Sequence, residues 1–83
     1  MSERNKVTVT IHNRTYTIVG DEPKEHVELI ANLVDKKMQE IYASNKHLDS
    51  TKLAVLTAIN TMNDYVKLKE EFDELLRLIE EEK

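Results

Sequence analysis

From Thr51 to Lys83 the chain contains neither glycine nor proline, the two residues that most readily break a helix. Within that stretch Tyr65, Leu68, Phe72, Leu75 and Ile79 recur at steps of three, four, three and four, the spacing of a coiled-coil seam. At 1.5 Å per residue such a helix spans on the order of 45 Å. A chain of 83 residues that puts so much of itself into one rod cannot bury the seam alone. It needs partner helices. The first half of the rod is apolar over a wider arc, through Leu53, Val55, Leu56, Ile59, Met62 and Val66. That arc can serve both the chain's own core and a second chain. The expected self-association surface is therefore Leu56, Ile59, Met62, Tyr65, Val66, Leu68, Phe72, Leu75 and Ile79.

Upstream the period changes. Val7, Val9 and Ile11, then Tyr16 and Ile18, alternate with threonine and polar residues, which reads as two strands. Asn13-Arg14 lies between them, and asparagine tolerates the positive φ of a tight turn. Two strands are marginal alone, so their apolar face must lie on something. Gly20-Asp21-Glu22-Pro23 closes the hairpin and opens a helix, with Asp21 as expected cap and Pro23 in the first turn. Val27, Ile30, Val34, Met38 and Ile41 then recur at helical steps, widened by Ala31 and Leu33. Ser44–Leu48 is a loop, and Asp49 or Ser50 can cap the last helix. The expected fold is α+β: a small N-terminal β-hairpin (about 6–19) packed on two helices (about 22–43, and from about 50), the second a long C-terminal coiled-coil helix. Residues 1–66 form a globular head and 67–83 a coiled-coil tail.

The chain has no cysteine, so no disulfide can supplement so small a core, and oligomerisation is the remaining usual route to stability. The polar start, Met1-Ser2-Glu3-Arg4-Asn5-Lys6, runs directly into a strand and reads as no signal peptide. No stretch approaches the roughly 20 apolar residues of a membrane span. A net charge of -4 and 5% aromatic residues weigh against a nucleic-acid surface. A single glycine leaves no phosphate-cradling loop. His12, His26 and His47 lack the spacing of a metal pair. Carboxylates such as Glu25/Glu28 and Glu70/Glu74 read as solvent-facing. No enzyme, cofactor or metal is expected. Asn60 and Asn63 stand out as polar residues on an otherwise apolar stretch; Asn60 is read either as a buried polar group that fixes register between helices or as a half-exposed side chain that caps a neighbouring loop. Arg14 at the hairpin tip, Lys46 and His47 in the loop, and Lys36 and Lys37 on the first helix would, if gathered on one head, make a small basic patch suited to an acidic partner.

The order hairpin, amphipathic helix, Leu48-Asp49-x-x-Lys52-Leu53-Ala54-Val55-Leu56-Thr57-Ala58-Ile59-Asn60, then a coiled-coil tail, resembles the ZapA family of bacterial cell-division proteins in its short Gram-positive form. The resemblance covers nearly the whole chain. Its most specific part is Lys52–Asn60, and Asn13 stands where the family often has glycine. It implies a non-enzymatic cytoplasmic protein that binds the tubulin-like GTPase FtsZ and bundles its protofilaments at the division septum. It also implies a homodimer, and a homotetramer formed through the long helices. By position Arg14 and Lys46 match basic residues implicated in FtsZ contact, Thr51 falls where some relatives carry an acid, and Lys37 and His47 complete the candidate set. The alternatives are a coiled-coil adaptor for another protein and, less compatible with the charge, a nucleic-acid module built on the hairpin and Lys36, Lys37 and Lys46.

Overall fold

A computed structural model describes residues 4–82; Met1–Glu3 and Lys83, the ends of the expected head and tail, lie outside it. Four elements follow in chain order: β1 (Asn5–Ile11), β2 (Arg14–Gly20), α1 (Lys24–Ser44) and α2 (Ser50–Glu81). This is the α+β arrangement expected from the periodicities.

The strands pair antiparallel, with Val7 opposite Ile18, Val9 opposite Tyr16 and Ile11 opposite Arg14. The loop is therefore His12-Asn13, with φ of 49° and 64°. Positive φ at both positions is the signature of the type I′ turn, whose twist suits a hairpin. The turn was expected one residue later, at Asn13-Arg14. The observed register keeps arginine out of the left-handed region, which histidine and asparagine tolerate better. It also sets Val7 against Ile18 and Val9 against Tyr16, leaving Ile11 opposite Arg14 at the turn.

Helix α1 lies over β1. Val7, Val9 and Ala31 are buried together, with Ile11 and Val27 packed at the margin. Because the helix covers β1 and not β2, Tyr16 and Ile18 on the same face stay 47% and 38% exposed. The whole apolar face was expected to be covered; only the β1 half is. The start of α1 also differs from expectation. Pro23 is the N-cap, with ψ of 149° and no side-chain cap bond, and its carbonyl accepts the first helical bond from the Val27 N–H at 3.1 Å. Asp21 lies two residues before the cap, too far back to serve the first-turn amides. The Asn5 side-chain amide instead donates to the Glu22 carbonyl at 2.9 Å, anchoring the connection to β1.

A short loop turns the chain back along α1. Asp49 caps α2, accepting from the Lys52 N–H at 2.8 Å. Leu53 is fully buried, Met38 and Thr57 nearly so, and the Thr57 hydroxyl donates to the Leu53 carbonyl at 2.8 Å. Further along, Lys37 Nζ meets Asp64 Oδ2 at 2.6 Å and ties α1 to α2. From Ala58 to Glu81 no side chain of α2 is buried.

Candidate partner-binding and self-association surfaces

The hairpin tip is fastened to α1 by one carboxylate. In a two-residue turn the amide of the first loop residue has no partner in the ladder. Here the His12 N–H donates to Asp35 Oδ1 at 2.7 Å. The other oxygen, Oδ2, accepts from Gln39 Nε2 at 2.7 Å, one helical turn on. The His12 ring sits edge-on to Tyr42, centroids 5.6 Å apart at 64°, a favourable aromatic geometry. Together with Asn13 and Lys46 these residues line an open depression of about 360 Å³.

The structure thus brings the tip and the inter-helix loop to one end of the head. Arg14 is exposed immediately beside the turn and Lys46 borders the depression. His47 is the next residue, its N–H donating to Asn45 Oδ1 at 3.2 Å to shape the loop. Thr51 is exposed in the first turn of α2. Lys37 is not part of this group. At ~100° per residue it lies more than a third of a turn around α1 from Asp35, Gln39 and Tyr42, and its ammonium is engaged by Asp64. That hydrogen bond, with the attraction of Asp64 and Glu40, raises the Lys37 pKa against a smaller opposing effect of burial. Lys36 is exposed on the same helix. Sequence reasoning missed Asp35 and Tyr42. Their signal was present: both fall on one helical stripe with the buried Ala31 and Met38, at steps of four, three and four.

The second surface is α2. Leu56, Ile59, Met62, Tyr65, Val66, Leu68, Phe72, Leu75 and Ile79 are all exposed in the single chain, from 41% to 66%, as are Leu76 and Leu78. They do not form one stripe. On a helix of 3.6 residues per turn, Leu56, Ile59 and Val66 point roughly opposite to Tyr65, Leu68, Phe72, Leu75 and Ile79. The lower group continues the line of Leu53 and Thr57, the side that α1 covers higher up. Among the described residues no helix is long and apolar enough to cross a membrane, and no cluster of three or more metal-ligating side chains gathers.

Comparison with known proteins follows the same outline. The family model described as Cell division protein ZapA matches residues 7–83. The chain belongs to the ZapA family. A ZapA from Oceanobacillus iheyensis is 57% identical over 74 residues, covering 89% of this chain and 86% of its own. One from a Geobacillus species is 53% identical over 81 residues, covering 98% and 93%. A solved structure described as a ZapA mutant dimer from Geobacillus stearothermophilus superimposes with a TM-score of 0.73 at 41% identity, covering 96% of this chain and 93% of that one. A conserved protein of unknown function from Pseudomonas aeruginosa has the same shape, with a TM-score of 0.70 at 33% identity over 84% and 78%. The ZapA match spans hairpin, both helices and seam, so the fold and the broad role in cell division rest on the whole chain.

Proposed function

We propose that this protein is a non-enzymatic crosslinker of the division ring: it binds FtsZ through its head and bundles FtsZ protofilaments by presenting two or more heads on a helical assembly. Residues 1–66 act as the head and 67–83 as the assembling tail. The protein works in the cytoplasm, at the septum. Arg14, Lys46, His47 and Thr51 make the FtsZ-facing set, and Lys37 supports it from behind by fixing α1 on α2. Self-association runs through the exposed apolar residues of α2, giving a homodimer and, through the second face, a homotetramer. The relative from Geobacillus stearothermophilus, described as a dimer, supports the first step.

The observation that carries this reading is the pair of apolar faces of α2 between Leu56 and Ile79, both uncovered on a single chain. Exposed apolar surface of that extent belongs to an interface. Two heads held on one rod convert a second binding event into an intramolecular one, and that is how a weak binder bundles filaments. Charge on the head contributes partner choice and encounter rate.

The test is co-sedimentation and light scattering of FtsZ with stoichiometric protein, beside Arg14→Glu. The wild type increases both signals, and Arg14→Glu weakens them while leaving the oligomer mass unchanged. No increase from a folded oligomer removes the FtsZ reading and leaves an adaptor for another partner. Loss of oligomer mass in Arg14→Glu would make that residue structural.

A further inference from the structure

The upper face of α2 holds a polar residue where a coiled coil has its core. Leu56, Ile59, Asn63 and Val66 follow at three, four and three, so Leu56 and Asn63 occupy one core position of the heptad and Ile59 and Val66 the other. All four are exposed in the single chain, on the side of α2 that α1 leaves open. The strip is an interface by composition. No side chain from Leu53 to Asn63 is charged, although 34% of the chain is, and depletion of charge marks the centre of an interface. Ile41 of α1 and Asn60 flank it, and with Leu56, Ile59 and Asn63 they line a hollow of about 310 Å³, a socket for a side chain of a facing helix.

We infer that Asn63 is the specificity-determining residue of self-association: it sets the register and the parallel, like-with-like alignment of two copies across this upper strip. The inference rests on the self-association reading above. A carboxamide both donates and accepts, so two Asn63 side chains satisfy each other when they meet at the same level. In any shifted or antiparallel pairing each would be buried against Leu56 or Ile59 with no partner, and an unpaired buried polar group opposes that arrangement. The occupant is a second copy because a core asparagine on an uncharged heptad strip is self-complementary. Leucine at the same position would favour association and forfeit the choice of alignment. Asn60 lies at the flank of the strip, where its amide reaches solvent.

The full chain supports a direct test because it contains no cysteine. Asn63→Cys introduces a single thiol, and Glu71→Cys, exposed between the two faces of α2, is the control. Under mild oxidation Asn63→Cys forms a disulfide-linked dimer at least tenfold faster than Glu71→Cys, because like residues that face each other in the core of an in-register pair approach within bridging distance and flanking ones do not. In parallel, Asn63→Leu is run through a concentration series by light scattering. It associates at least tenfold more tightly than wild type and no longer gives one defined mass. Association of the wild type with equal cross-linking rates at both positions overturns the inference, as does an Asn63→Leu with unchanged mass and affinity; the self-association reading then stands without it. A wild type that stays monomeric at every concentration removes both.

Discussion

Asp35 is the residue whose removal most sharply tests how the head is built. Its carboxylate accepts the His12 N–H of the turn on one oxygen and the Gln39 amide on the other, each at 2.7 Å. A hydrogen bond to a charged group contributes about 1.5–3 kcal/mol, and this one is only partly buried, so the lower end applies, ~1.5 kcal/mol. The Gln39 bond is an exposed pair one turn apart and adds ~0.3 kcal/mol. Asp35→Ala should therefore destabilise the protein by about 2 kcal/mol. Asp35→Asn, which keeps a neutral acceptor at the same place, should lose about 1 kcal/mol. Urea unfolding at one fixed chain concentration gives the totals, and amide exchange locates them. Exchange at His12 should accelerate roughly tenfold in Asp35→Ala, the equivalent of ~1.4 kcal/mol, while amides at the centre of α2 change only with global stability. If Asp35→Ala lies within ~0.5 kcal/mol of wild type and His12 exchanges at its former rate, the turn is held by the strands alone and the tether is incidental. FtsZ bundling should weaken in the same variant, because the depression beside Lys46 loses its rigid wall.

Leu53→Ala removes the one fully buried side chain among the described residues and should cost about 3 kcal/mol, lowering the thermal midpoint by ~12–24 °C in a domain of this size; calorimetry at matched concentration checks it. Leu75→Asp places a charge in the lower row of α2, where the side chain is 56% exposed in the single chain. It should reduce oligomer mass in light scattering and leave the monomer's helical content near the head intact; an unchanged mass would show that the lower row is not an interface. Lys37 gives a pH signature. Its folded pKa is raised above the ordinary 10.5 by the bond to Asp64, so its contribution is present below that value and disappears as pH rises through the folded pKa. Unfolding of wild type and Lys37→Met compared between pH 9 and 12 should differ at the lower end and converge at the upper; a constant difference would assign the effect to packing of the lysine stem.

The periodicities were enough to place both strands, both helices and the loop between them, because each carries its apolar residues at the step its backbone requires. What they could not place was set by contacts between elements. Tyr16 and Ile18 have the alternation of a buried face, yet only the position of α1 decides which strand it covers. The turn could lie at His12-Asn13 or one residue later without moving any apolar side chain to the other face, so the alternation alone did not decide it. Lys37 reads as a free cation until Asp64, 27 residues away, is seen beside it. Asp35 reads as a solvated charge until the open amide of His12 arrives next to it. Arg14, Lys46 and His47 were legible as a possible patch by residue type, and the structure adds their neighbourhood at one end of the head. The two faces of α2 were both in the spacing, but the change of phase near Tyr65 emerges only when the helix is treated as one continuous rod.

Beyond Asp64 the helix has no buried side chain to hold it to its own head. In proteins most of a helix's stability comes from packing of its apolar face rather than from propensity. If self-association runs through this segment as proposed above, its packing is bimolecular and its order follows protein concentration. In the assembly proposed above, dilution uncovers the apolar rows of this segment and concentration covers them.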